Sequence, residues 1–207
     1  MNNKVYLLKY KRTPIGNYLS SLSKLSALEL GKLTVTELVK DFNTADIEMG
    51  YVGNVLSAGL GQNIGRQILY SCDINVPTIT LNNVCGSGMQ SIIEGSKSIM
   101  VGESDCVIVG GVESMSNSPY LQNNIRTGNK YGNINLIDSM LNDGLTDSFS
   151  KEHMGELTER ISEQYEITKD DLDEYAKTSY IKARDAWNNN CFSEEVFNVT
   201  IKDRKNE

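Results

Sequence analysis

Hydrophobic spacing changes period sharply in the middle of the chain, and that change marks its most informative stretch. From Thr78 to Val84, β-branched and apolar residues alternate with small polar ones, the two-residue period of a mostly buried strand. From Ser87 onward Met89, Ile92, Ile93, Ser96 and Met100 fall at helical spacing, so a helix is predicted to begin within a residue or two of Cys85. Similar patterns flank it on both sides. Residues 5–10 read as a first strand, closed by the breaker-rich turn Arg12-Thr13-Pro14-Ile15-Gly16. Val35, Leu38, Val39 and Phe42 predict a helix within residues 27–42. A strand over 49–55 leads through a glycine-rich connection at 58–63 into a helix marked by Ile64, Ile68, Leu69 and Cys72. The glycines of that connection fit neither G-x-G-x-x-G nor G-K-[ST], so it is read as a tight turn and not a nucleotide loop. Residues 105–111 form a short apolar run suited to the centre of a parallel sheet.

Strands alternating with helices imply an α/β layer structure with right-handed crossovers, whose ligands bind outside the carboxyl ends of the strands. Cys85 stands at such an end. Beside the apolar stripe of its helix runs a stripe of small residues, Gly88, Ser91 and Gly95, which predicts a helix buried on more than one side. From Ser114 the composition turns to Asn, Ser, Gly and Tyr, and the alternation stops. The expected organisation is therefore an α/β core over 1–113 and a second region over 114–207. The second region starts with an irregular excursion to about residue 147 and continues into a helix over 152–165. A further helix follows, opened by a Thr168/Asp171 capping box with Leu172, Tyr175, Ala176 and Trp187 along one face. Phe197, Val199 and Ile201 alternate with Asn198, Thr200 and Lys202, a strand pattern close to the last residue.

Composition narrows the function classes. The 207 residues are 39% hydrophobic and 23% charged, the balance of a soluble globular protein, with a net charge of −7. That charge argues against a nucleic-acid or anionic-membrane surface, which needs clustered Lys and Arg. Cys72, Cys85, Cys106 and Cys191 show no CxxC pairing and no histidine at ligand spacing, so neither a metal site nor a disulfide framework is expected. No apolar run approaches the ~20 residues of a spanning helix, and lysines interrupt the first apolar stretch. A cytoplasmic setting is the expectation.

Against that background Cys85 carries the candidate chemistry. A cysteine at a helix start lies among unpaired backbone N–H groups at the positive end of the helix dipole, both of which favour the nucleophilic thiolate. Gly86 and Gly88 leave room for a carbonyl to approach.

The residues around it resemble the thiolase family. The segments Asn83-Val-Cys-Gly-Ser-Gly-Met89 and Val109-Gly-Gly-Val-Glu-Ser-Met-Ser-Asn-Ser-Pro-Tyr120 carry the likeness most strongly. Gly53-Asn-Val-Leu56, Asp143-Gly-Leu-Thr-Asp147 and His153-Met-Gly155 follow in the family's order. The resemblance implies a thiolase-like N-terminal βαβαβ domain with an inserted helical loop domain, and a C-terminal half absent from this chain. It implies acetyl-CoA C-acetyltransferase chemistry, two acetyl-CoA giving acetoacetyl-CoA and coenzyme A through an acyl-cysteine at Cys85. Coenzyme A thioesters are then substrates, no further cofactor is needed, and Leu145, His153 and Met154 map onto substrate contacts. The family's remaining acid/base groups sit in Gly-His-Pro, Asn-Glu-Ala-Phe and Cys-x-Gly motifs that this sequence lacks. A homo-oligomer, or a second chain supplying that half, is therefore expected, and residues 120–137 correspond to the family's tetramerisation loop. The competing readings are a catalytically incomplete remnant or coenzyme A-thioester-binding module, and, less well matched, a ketoacyl synthase.

Overall fold

The computed structural model describes residues 4–201. The chain divides into two compact units, Met1–Gly144 with Phe197–Glu207 and Leu145–Val196. In the first unit β1 (Met49–Gly53), β2 (Thr78–Leu81) and β3 (Val107–Gly111) form a parallel sheet in the order β2-β1-β3. Gly50 pairs with Thr78 on one side and Ile108 on the other, so the alternating pleat sorts side chains onto two faces. On one face Val52 and Gly50 receive α2 (Ile64–Tyr70), where a Cβ on Gly65 would meet Val52 at 2.9 Å. α1 (Ala27–Leu38) packs on α2 through Gly31 against Ile68. The main core lies here, with Val52, Ile64, Ile68, Leu69, Ile74 and Ile108 buried together. Each such side chain contributes about 1.5–3 kcal/mol by leaving water.

The other face carries α3 (Ser87–Val101), and its packing departs from the expected double burial. Its buried residues are Ser87, Ser91, Gly95 and Ser98, so the small stripe faces the sheet. A Cβ on Gly95 would stand 2.4 Å from Val109 Cγ1, which is why the inner face must be small. The large residues point outward: Met89 is 64% exposed, Ile92 47% and Val101 77%.

Two expected strands do not form. Residues 5–10 enter no ladder, and Tyr6, Leu7 and Leu8 are exposed. Residues 197–201 show the alternating burial of a strand without strand hydrogen bonding, and Lys202 lies outside the described residues. An extended segment becomes a strand only when a neighbour satisfies its backbone groups, and among the described residues neither segment has one.

The first unit includes residues 114–144. Asn117 Nδ2 donates to the carbonyls of Ser23 and Leu25, each at 3.0 Å, and Ser116 Oγ accepts from the Leu19 amide at 2.9 Å. Those bonds tie the polar segment to the α1 entry. The excursion beyond it is closed by β4 (Tyr120–Leu121) and β5 (Ile137–Asp138), paired antiparallel. The second unit contains α4 (Met154–Gln164) and α5 (Lys169–Asn188), neither with a buried residue. The Thr168/Asp171 capping box is present: Thr168 Oγ1 accepts from the Asp171 amide at 3.2 Å and the Asp171 carboxylate accepts from the Thr168 amide at 3.0 Å. No helix among the described residues is long and apolar enough to cross a membrane.

Candidate active site

Cys85 sits in a strained turn between β2 and α3. Val84 has φ of 50°, a left-handed conformation that costs a β-branched residue about 1–3 kcal/mol. Local hydrogen bonds enforce it. Asn82 Oδ1 accepts from the Val84 amide at 2.9 Å, and the carbonyls of Asn83 and Val84 accept from the amides of Gly86 and Ser87 at 3.0 Å each. Ser87 staples the turn: its hydroxyl donates to the Val84 carbonyl at 2.6 Å and accepts from the Asn83 amide at 2.9 Å. Ser87 is buried, so water cannot replace these bonds. Ser87→Ala is expected to cost about 1–3 kcal/mol in a denaturant melt, the loss of two hydrogen bonds worth about 0.5–1.5 kcal/mol each. Unchanged stability would show that the hydroxyl is dispensable.

The turn delivers an exposed Cys85 one residue before the helix N-cap, Gly86. No side chain caps α3, so its first amides are not consumed by a capping oxygen. Beneath the turn, backbone lies directly on backbone. A Cβ on Gly53 would fall 2.4 Å from the Ser87 carbonyl carbon, and one on Gly111 would fall 3.2 Å from Gly88 Cα. The helix start therefore rests on the carboxyl ends of β1 and β3.

A clamp missed in the sequence holds those two ends together. Glu113 Oε1 accepts from Asn54 Nδ2 at 2.9 Å and from the Leu56 amide at 3.1 Å, while Oε2 accepts from the Val55 amide at 2.9 Å. Asn54 Nδ2 also donates to the Val112 carbonyl at 3.1 Å. Both residues lie inside the motifs quoted for the family resemblance. Position in a motif was their only signal, because no spacing rule pairs an Asn with a Glu so far along the chain.

The other cysteines have different surroundings. Burial pushes the Cys106 thiol up, with Asp46 and Glu48 adding to the effect. Cys72 is half-buried with its sulfur 3.6 Å from both the Thr36 hydroxyl and the Lys32 carbonyl, whereas Cys191 is exposed. No group of three or more His, Cys, Asp or Glu that could hold a metal occurs among the described residues. An open hollow of about 470 Å³ runs along β2, lined by Leu60, Asn63, Thr78 and Thr80 among others, and Cys85 does not line it. The exposed sulfur and the polarity around it mark the candidate site better than that hollow does.

The three expected substrate contacts fall in the second unit and Cys85 in the first. Leu145 is half-buried at the end of the π-helical turn Leu141–Leu145. Its neighbour Thr146 bridges to His153, and the Asp147 amide donates to the Glu152 carbonyl at 2.9 Å, so a closed loop brings the two ends of this stretch together. Asp147 Oδ2 anchors the loop by accepting from the amides of Ser150 and Phe149. The Ser150 backbone and side chain hold its carboxyl below the usual carboxylate range. His153 is the N-cap of α4, its Nδ1 accepting from the Gly155 amide at 3.0 Å, and Met154 opens the helix, 39% exposed.

Comparison with known proteins agrees with this architecture. The chain is 43% identical over 196 residues to the cytosolic acetyl-CoA acetyltransferase ERG10 of Gibberella zeae, covering 93% of this chain and 50% of that one. It is 41% identical over 208 residues to a probable acetyl-CoA acyltransferase of Staphylococcus aureus, covering 99% and 53%. Against the mitochondrial acetyl-CoA acetyltransferase of Bos taurus the figures are 39% over 203 residues, covering 96% and 48%. The crystal structure of Acat5 thiolase from Ascaris suum in complex with coenzyme A superposes with a TM-score of 0.87 at 41% identity, covering 92% of this chain and 50% of that chain. The chain thus spans about half the length of the curated relatives it matches. The family profile described as "Thiolase, N-terminal domain" matches residues 5–207, and with the strand–cysteine–helix turn in place the chain belongs to the thiolase family.

Proposed function

We propose that this chain is the nucleophile-bearing half of an acetyl-CoA C-acetyltransferase, active when a second half completes it. The observation that carries the reading is an exposed sulfur on a strained turn, one residue before an uncapped helix start. In the proposed reaction Cys85 Sγ attacks the acetyl carbonyl carbon of acetyl-CoA. The bond to the coenzyme A sulfur breaks, and the departing thiolate takes up a proton. A second acetyl-CoA loses a proton from its methyl carbon and attacks the acyl-cysteine. A carbon–carbon bond forms, acetoacetyl-CoA leaves, and the Cys85 thiolate is regenerated. Negative charge on the thioester oxygen needs hydrogen-bond donors, and the start of α3, which no side chain caps, is suited to supply some of them. The proton transfers fall to the part of the relatives' length that this chain does not span.

Under the same reading Leu145, His153 and Met154 contact the coenzyme A thioester. The segment between β4 and β5 serves oligomer contacts, and the setting is cytoplasmic. Division of labour between a core bearing Cys85 and a loop region beyond residue 113 also belongs to this proposal.

Incubation with acetyl-CoA followed by peptide mass spectrometry tests the covalent step. Acetyl label is expected on Cys85, is lost in Cys85→Ser, and is at least tenfold below that level at Cys191, which is also exposed. Equal labelling of Cys85 and Cys191, or none at either with a C-terminal half added, defeats the reading.

A further inference from the structure

We propose that Glu113 is a positioning residue for Cys85: one carboxylate fixes the spacing of the three strand ends on which the nucleophile's turn rests. Its bearing on catalysis depends on the acyl-transfer reading above, whereas the geometry does not. The sheet ladder stops at Gly53, which pairs with Leu81 on one side and Gly111 on the other. Past that level, the residue after β1 holds the ends together. The Asn54 amide donates to the Leu81 carbonyl at 3.0 Å, and Asn54 Nδ2 donates to the Val112 carbonyl at 3.1 Å. One residue, 2% exposed, thus joins the ends of all three strands. Asn54 Oδ1 is buried without a partner among the described residues, so the Nδ2 bonds alone set the orientation of this amide.

Glu113 governs Asn54 and the two residues after it. Its carboxylate accepts from Asn54 Nδ2 and from the Val55 and Leu56 amides. Both oxygens accept, so an amide in place of the carboxylate would turn its NH2 group on at least one of those donors, whichever way it faced. Glu113 is itself exposed, so changing it opens no cavity in the core. The strand ends reach the sulfur by two routes. Leu81 leads directly into the turn that carries Cys85, while Gly53 and Gly111 lie against Ser87 and Gly88 with no side chain between to absorb a shift. Released from Glu113, the segment after β1 drifts, and the turn moves with its supports.

The full chain carries its own reference, since Cys191 is also exposed. Alkylation by iodoacetamide, followed site by site across pH, gives the rate at Cys85 over that at Cys191. Wild type is expected to favour Cys85. In Glu113→Gln that ratio is expected to fall about five- to tenfold, the scale of a small misplacement of a reacting group, and the pH profile of Cys85 to move toward that of Cys191. Glu113→Asp keeps the charge on a shorter arm and is expected to lose about twofold. Circular dichroism at the same temperature shows that each variant is folded. A clamp with a purely structural role would lower the melt and leave both the ratio and the pH profile where they were. A wild-type Cys85 no faster than Cys191, a folded E113Q with the wild-type ratio, or loss of the fold in both variants overturns the inference. Acetyl transfer to wild-type Cys85 with a C-terminal half added tests the acyl-transfer reading by itself. Its failure sinks that reading, and the alkylation ratio still decides whether Glu113 places the sulfur.

Discussion

Replacing Gly53 with alanine is expected to destabilise the first unit by about 3 kcal/mol, the upper end for forcing atoms into a packed site. The new Cβ would stand 2.4 Å from the Ser87 carbonyl carbon, 2.5 Å from its oxygen and 2.8 Å from the Gly88 nitrogen. All three are backbone atoms at the start of α3, so no rotamer change can relieve the clash. Either the helix start lifts from the sheet or β1 shifts, and both displace the turn that presents Cys85. Reaction of Cys85 with iodoacetamide, measured against Cys191 in the same molecule, should therefore lose any advantage it holds in wild type. Gly88→Ala is the control, because a Cβ there meets nothing within 4 Å. Exchanging glycine for alanine inside a helix gains about 0.5–1 kcal/mol, so G88A should melt no lower than wild type. A G53A protein with wild-type stability and wild-type Cys85 labelling would remove the close-approach account of this site.

The second large effect concerns association. Met89, Ile92, Ile93, Met100 and Val101 all lie exposed on α3. A monomer rarely carries a contiguous apolar face of more than a few hundred Å² without a partner. In sedimentation the isolated chain should therefore run well above its 23.0 kDa mass, or precipitate as concentration rises. Placing lysines at Ile92 and Met100 puts two charges on that face without touching the buried small residues opposite. The I92K/M100K variant is expected to shift the population to monomer with its helix content intact. A wild-type chain that sediments as a monodisperse monomer and melts cooperatively would contradict the prediction.

Elements whose signals are local were legible before any coordinates. The period change around Cys85, the helices α1, α2 and α3, and the Thr168/Asp171 cap each depend on residues within a few positions of one another. They appeared where the spacing put them, except that α1 ends at Leu38 and α2 at Tyr70, short of Phe42 and Cys72. Residues 5–10 and 197–201 have strand-like patterns too, but a strand is completed by a neighbour that a pattern cannot supply. The expectation that α3 is buried on more than one side failed for a related reason. Gly88, Ser91 and Gly95 announce that some backbone comes close, and only the register of Tyr51, Val107 and Val109 shows that it is the chain's own sheet. At the site, Cys85 could be singled out because its neighbours in sequence are its neighbours in space. The Glu113–Asn54 clamp could not, since it joins the ends of two strands through a carboxylate and backbone amides, and amides leave no mark in a sequence.

The strand order carries a kinetic consequence. All three paired strands run parallel, so β1 cannot pair with either neighbour until an entire crossover has been made. β1 lies in the middle, and its second partner, β3, arrives only after α3 has been synthesised. Contacts this distant along the chain close slowly, because the entropy of the intervening loop is lost before any pairing compensates for it. During synthesis the central strand must therefore wait with one edge open, the interval in which a nascent chain is most vulnerable to pairing with another copy of itself.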